Sequence, residues 1–426
     1  MFAGIGGIEL GFHRADHQTV IFSEIDPSAK AVLDARFKGI PNHPDVTTLK
    51  ALPREVDLIA GGFPCQDLSQ AGQATGINGA RSSLVSHVFR LIRQRPVEIV
   101  VLENVPFMLQ LNRGQAMRHV VSELEELGYM WAYRVVDSRA FGLLQRRRRV
   151  YLIASQSVDP RRVVFADEAD TVDELVEDWR SAACGFYWTE GNRGLGFAYD
   201  AVPTLKGSST VGIPSPPAVV LTNGEVVKPT IRAAERLQGF RAGWTKPAEN
   251  VGRASFRWRL VGNAVSVPAA AWIGRRLASP GKLVNFGERE LSSNGRWPTA
   301  AYNVDGRRVV VDISEWPKIY SQRMSLDELL DGESEPLSVK ATTGFLNRAV
   351  KSKLLFPEGF LDILRRHIEN GANSSIATVN GSSRKKRLTN GSGNIRSDGQ
   401  DSPAKHGART TRQETVPRTR AALQNK

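Results

Sequence analysis

Val56-Asp57-Leu58-Ile59-Ala60-Gly61-Gly62-Phe63-Pro64-Cys65-Gln66 reads as a short apolar strand, Val56 to Ala60, that runs into a glycine and proline turn carrying a cysteine. Three further β-branched runs lie in the first 155 residues: Thr19 to Phe22, Glu98 to Leu102 and Val150 to Ile153. Between them, Ser82 to Gln94 and Gly114 to Gly128 carry apolar residues at helical spacing. This alternation is the rhythm of an α/β fold with a doubly wound parallel sheet. In such a fold Cys65 sits at the carboxyl end of a strand, where ligands bind.

Downstream the rhythm changes. Residues 156–228 are broken by Gly, Pro and Ser clusters such as Gly191 to Gly196 and Gly212 to Pro217, which predicts a separate loop-rich module. Helical periodicity returns over 229–279, at Arg232 to Leu237 and at Val267 to Leu277 after the turn at Gly262-Asn263. Residues 280–370 have their own apolar pattern, including Val309 to Ile313 and a helix-like stretch from Phe360 to Ile368 closed by Asn370-Gly371, and read as a small C-terminal extension of unassigned role. From 371 to 426 Gly, Ser, Asn and Arg dominate, so a disordered basic tail is expected.

Composition narrows the class. The 426 residues are 41% apolar and 24% charged, with no apolar run near the roughly 20 residues that span a bilayer. The first residues lack the basic and apolar regions of a secretory signal, so a cytoplasmic location is expected, with no membrane partner. Cys65 and Cys184 are the two cysteines, too few for a disulfide framework or a cysteine-based zinc site, and no metal is expected. The formal charge of +13 suggests nucleic acid, yet residues 384–426 hold eleven Lys or Arg against Asp398, Asp401 and Glu414. That tail accounts for most of the excess, so motifs carry the functional argument.

Phe2-Ala3-Gly4-Ile5-Gly6-Gly7 predicts a glycine-rich turn that lets backbone approach a bound cofactor, although a tight packed turn explains the same residues. Glu24, about 20 positions on, is placed to accept hydrogen bonds from ribose hydroxyls. Asp45 is a second carboxylate for a nucleoside, or else a solvated one. A free cysteine is usually a small hydrophobe. Cys65, however, has company: Glu103-Asn104-Val105 follows the strand Glu98 to Leu102 and opens its carboxylate into the same crevice. In Gln145-Arg146-Arg147-Arg148-Arg149-Val150 the strand period turns Arg147 and Arg149 to one face and Arg146 and Arg148 to the other.

Taken in order, these stretches resemble the motifs of the DNA cytosine-5 methyltransferase family of bacterial and phage restriction-modification type. Besides those above, the ninth motif is matched by Arg232 to Phe240 and the tenth by Gly262-Asn263-Ala264-Val265. The resemblance implies an S-adenosylmethionine-dependent, Rossmann-like catalytic domain over 1–155 and 229–279, with 156–228 as target recognition domain. It implies Cys65 as the nucleophile at cytosine C6, Glu103 at the ring N3 edge, and Arg147 and Arg149 at the base carbonyl. Phe2, Gly4, Gly6, Glu24, Asp45, Pro64, Leu84 and Asn263 would line the S-adenosyl-L-methionine site. Gln66, Arg81, Thr204 and Leu205 would serve DNA recognition, and Asp67 to Arg81 would close over a flipped base.

The expected partner is double-stranded DNA, met by a monomer in the cytoplasm near the nucleoid, with a cognate restriction endonuclease as genetic partner. A transfer-RNA cytosine-5 methyltransferase, or a non-catalytic DNA-binding relic, is the alternative. Family members carry the first glycine motif on an apolar strand. Here Met1-Phe2 opens the chain, so either the start lies further upstream or the sheet lacks that strand.

Overall fold

The computed structural model describes residues 1–64, 84–169, 178–191, 194–207, 216–292, 296–318, 324–371 and 373. Helix α1 (Gly7–His13) follows the glycine turn, and α2 (Pro27–Arg36) starts on the side-chain cap of Asp26. Then come β1 (Leu58–Gly62), α3 (Leu84–Gln94), β2 (Ile99–Asn104), α4 (Gln115–Glu126), β3 (Met130–Asp137), β4 (Gln145–Arg146) and β5 (Arg148–Ser155).

The loop-rich module contributes β6 (Cys184–Phe186), β7 (Ala198–Tyr199), β8 (Val202–Pro203), β9 (Ala218–Val220) and β10 (Val226–Pro229). After it the chain forms α5 (Ile231–Leu237), α6 (Phe256–Asn263), α7 (Val267–Ala278), β11 (Gly287–Glu290), β12 (Ala300–Val304) and β13 (Arg307–Asp312). Last are α8 (Leu326–Leu330), β14 (Ser334–Pro336), α9 (Val339–Lys351) and a helix over 360–371.

The main sheet has the order β1-β2-β5-β3-β12-β13-β11. Its strands alternate faces, so Val100 and Leu102 of β2 enter one core with Val88, Phe89 and Ile92 of α3 and Met117 and Val121 of α4. Val101 and Ile153 face the other way, against Ile8 and Phe12 of α1 and Ile273 and Leu277 of α7. Helices thus cover both faces, as a doubly wound sheet requires.

Strand direction corrects the parallel expectation. Only β1 and β2 run parallel among the described pairs of this sheet; β2–β5, β5–β3, β3–β12, β12–β13 and β13–β11 are antiparallel. The cause lies in the link from Asp137 to Arg148, which is too short for the crossover of a dozen or more residues that a parallel neighbour needs. Thr19 to Phe22 is likewise not a strand. Only Phe22 makes ladder bonds, donating to Pro41 O and accepting from His43 N, both at 2.9 Å.

The region 280–370 has no core of its own, contrary to its reading as an extension. Its β11, β12 and β13 complete the main sheet, while β14 pairs with β10 in the second, five-stranded sheet β14-β10-β9-β6-β7. Phe345 of α9 and Phe360 pack there with Phe186 and Val220, and Cys184 is fully buried in β6.

The edge strand β1 meets the N-terminus. Met1 N donates to Ala60 O at 2.7 Å, and Ala3 N donates to Ser23 O at 3.2 Å. Beside them lies a cavity of about 410 Å³ lined by Ile8, Phe12, Val20, Ile21, Leu58 and Ala60 among others. No described helix is long and apolar enough to cross a membrane.

Candidate active site

The glycine turn is shaped by contacts that exclude larger residues. Gly6 has φ 80°, a conformation glycine adopts without strain, and a Cβ there would strike the Phe37 ring. Gly6 N closes the turn on Ala3 O at 2.9 Å. Glu24 holds the loop from outside: Oε2 accepts from Gly4 N at 2.7 Å and Oε1 from Asp26 N at 2.8 Å. Each oxygen keeps a further lone pair for another donor.

A Cβ on Gly4 would meet nothing within 4 Å, so open space adjoins the loop beside a carboxylate. Phe2, half-buried, has φ 53°, a strained geometry of the kind that collects at ligand sites. Phe2, Gly4, Gly6 and Glu24 thus form one wall, with carboxylate oxygens able to accept further donors. Asp45 lies in a neighbouring turn, where Oδ1 accepts from Thr47 N at 2.9 Å and that bond holds its carboxyl below the usual range. Asn42 ties the turn to the wall by donating to Glu24 O at 3.1 Å. Leu84 is half-buried at the start of α3, and Pro64 is exposed just past β1.

Glu103 lies near the carboxyl end of β2, in register with Gly62 on one side and Tyr151 on the other. It is buried, and a Cβ on Gly62 would come 2.9 Å from its Oε2. Arg149 Nε of β5 stands 3.0 Å from its Oε1. Burial raises the Glu103 pKa, while Arg149 and Arg147 pull it down; desolvation is the larger effect, so the pKa lies above the usual carboxyl range. Asn104 donates from Nδ2 to Phe63 O at 2.9 Å and so holds the turn that leads to Pro64 and Cys65.

Arg147 is 2% exposed and donates to Leu205 O at 3.1 Å, Gly262 O at 3.2 Å and Ala264 O at 2.7 Å. Burial, then the neighbouring Arg149, lowers its pKa to about 9. Arg146 and Arg148 do turn the other way, and Arg148 pairs with Glu315.

Thr204 and Leu205 are anchored to the motif of four arginines. The Thr204 hydroxyl donates to Arg146 O at 2.8 Å, and buried Leu205 donates its N–H to Gln145 Oε1 at 2.8 Å. Both join the loop-rich module to the main sheet through β4 and β8, which pair in parallel. Asn263 is exposed at the end of α6 with its amide oxygen against Gly207 of the module.

Cys65, Gln66 and Arg81 lie outside the described residues, as do the segment Asp67 to Arg81 and the tail from 374. Asn104 and Gln145 are positioning groups that motif reading quoted without a role. Their polar side chains inside apolar strands were the available signal. Among the described residues no three His, Cys, Asp or Glu side chains are grouped to hold a metal ion.

Comparison with known proteins gives the family. The sequence profile of the family described as C-5 cytosine-specific DNA methylase matches residues 1–178. Type II methyltransferase M2.BsuMI of Bacillus subtilis (strain 168) is 46% identical over 380 residues, spanning 86% of this chain and 96% of that protein. Type II methyltransferase M1.ScrFI of Lactococcus lactis subsp. cremoris is 29% identical over 307 residues, 65% of this chain and 76% of that one. The crystal structure of S. pombe Dnmt2 methyltransferase superposes with TM-score 0.47 at 16% identity, covering 65% of this chain and 95% of that one. With nearly half its residues shared along almost the whole of the Bacillus protein, this chain belongs to the C-5 cytosine-specific DNA methylases.

Proposed function

We propose that the protein methylates C5 of cytosine in a specific double-stranded DNA sequence, through a covalent adduct between Cys65 and a base flipped out of the duplex. The observation that carries the reading is the buried Glu103 carboxyl, flanked by Arg149 and Arg147, at the carboxyl ends of β1 and β2 and the amino end of β5. A base inside a helix is out of reach of such a crevice, and extrusion costs a few kcal/mol.

Cytosine C5 becomes nucleophilic once a thiolate adds at C6. The Cys65 sulfur forms that bond, and the electron pair it displaces through the ring is taken up at N3. Glu103, whose carboxyl burial makes easier to protonate, donates a proton to N3, so no full negative charge builds on the ring. Arg149 keeps the carboxyl in place and neutralises it once the proton has gone. S-adenosylmethionine, when bound, supplies an electrophilic methyl group. After C5 takes the methyl group, with S-adenosylhomocysteine as the leaving group, a base takes the C5 proton, its electron pair restores the C5–C6 double bond, Cys65 leaves as thiolate, and the N3 proton returns to Glu103.

Phe2, Gly4, Gly6 and Glu24 would hold the nucleoside part of the donor, with Asp45, Pro64, Leu84 and Asn263 completing the site. Arg147 organises the pocket by donating to the backbone carbonyls of Leu205, Gly262 and Ala264. Thr204 and Leu205 fix the loop-rich module beside the crevice, and base readout falls to them together with Gln66 and Arg81. The Type II names of the relatives support a cognate restriction endonuclease as genetic partner, and the enzyme is read as a cytoplasmic monomer.

The test is incubation with labelled S-adenosylmethionine and either duplex DNA or transfer RNA, followed by bisulfite mapping. Label at one cytosine within a fixed duplex sequence is expected. Label in RNA alone would overturn the reading.

A further inference from the structure

The turn after α5 reaches the glycine loop from the far end of the chain. Trp244 donates from its indole Nε1 to Ile5 O at 2.9 Å, and both residues are buried. Ile5 is the residue between Gly4 and Gly6, so this bond fixes one peptide of the loop from the protein side.

The indole is itself immobilised. Its ring packs on Phe240 and Phe37, with centroids 5.3 and 6.0 Å away, and the Arg36 guanidinium lies 5.1 Å from the ring centre. Arg36 also donates to Trp244 O at 2.9 Å and Gly243 O at 2.6 Å. On the other side Glu235, fully buried, accepts from Gly243 N at 2.5 Å and Thr245 N at 2.7 Å. Arg257 closes the network, 2.9 Å from Glu235 and 2.7 Å from Glu249. Gly243 N, Gly243 O, Trp244 O and Thr245 N are therefore each held by a buried or partly buried charge, and such a connected network is rigid.

The loop that it grips needs this support. Phe2, Gly4 and Gly6 all have positive φ, and Gly6 N to Ala3 O is the one backbone bond closing the turn. We propose that Trp244 is a positioning residue for S-adenosylmethionine, setting donor affinity by preorganising the Gly4–Gly6 backbone without touching the reacting atoms. The inference rests on the glycine loop being the donor site. Packing alone does not account for the arrangement, because a phenylalanine would fill the space and leave Ile5 O without its donor.

Trp244→Phe therefore separates the roles. KM for S-adenosylmethionine and the Kd of S-adenosylhomocysteine by calorimetry are expected to rise about fivefold, the fold-change equivalent of one hydrogen bond. The kcat and the KM for DNA are expected to stay within about twofold, as for an interaction used equally in ground and transition states. Arg36→Gln, which loosens the same turn without altering the core ring, is expected to move donor affinity in the same direction by less. Glu24→Ala is the control for the donor site.

If Glu24→Ala loses S-adenosylhomocysteine binding but Trp244→Phe and Arg36→Gln bind as the wild type does, the Trp244 role is overturned. A fall in kcat at unchanged donor KM overturns it too. Undiminished binding by Glu24→Ala overturns the donor-site reading instead.

Discussion

Glu103 stands between opposing influences: burial favours its neutral acid, and the guanidinium groups of Arg149 and Arg147 favour its carboxylate. Burial prevails, so the pKa is raised and the protonated fraction falls as pH climbs through that raised value. A reaction that needs this proton slows on the alkaline side. Glu103→Gln is expected to lower kcat by roughly 10²–10⁴-fold and to flatten that alkaline limb, which a kcat–pH profile measures. Arg147→Lys replaces a planar fork serving three carbonyls with a single ammonium. The orphaned carbonyls should cost about 2–4 kcal/mol, read as a lowered midpoint in urea unfolding. The alternation of Arg146 to Arg149 was legible because strand period fixes it locally. The fate of Thr204 and Leu205 was not, because it depends on Gln145 and Arg146, about sixty residues earlier in the chain.

At the scale of elements, α3 and α4 could be read from spacing, since Val85, Val88, Phe89 and Ile92, like Met117, Val120, Val121 and Leu124, recur on one helical face. Strand β3 escaped notice because Arg134 interrupts its apolar pattern. That arginine is fully buried, satisfied by Ser314 O at 2.8 Å, Asp167 O at 2.6 Å and an ion pair with Glu168. Partners that distant leave no mark in local sequence. At β1, the Met1 ammonium is buried, its pKa is lowered by desolvation, and it bonds Ala60 O next to the cavity lined by Val20, Ile21 and Leu58. Fusing a short Val- and Ile-rich segment ahead of Met1 replaces that charge with an amide and offers side chains to the cavity. A stabilisation of roughly 2 kcal/mol or more is expected, at ~1.5–3 kcal/mol for each apolar side chain buried. Thermal unfolding of the fusion against the parent measures it, and an unchanged Tm would show that the cavity takes no strand.

Across the whole molecule, the loop-rich module and the main sheet share the last hundred residues of the described chain. Residues 287–312 supply three strands to one sheet, and 334–371 supply a strand and two helices to the other. Sequence periodicity showed that this region folds but not onto what, because its apolar faces are completed only by strands far upstream, such as Tyr133 opposite Ala301. Truncation after residue 285 is therefore expected to give an insoluble or unfolded product by circular dichroism, rather than a folded enzyme that merely binds DNA less well. The chemical claim that unites these parts is that Cys65 attacks the cytosine ring beside Glu103. Covalent trapping on a duplex carrying 5-fluorocytosine at the target base tests it most directly, because fluorine at C5 blocks release of the sulfur. The wild type with S-adenosylmethionine should form a denaturation-resistant protein–DNA adduct, and Cys65→Ala should form none. An adduct that persists in Cys65→Ala would place the nucleophile elsewhere and contradict the account.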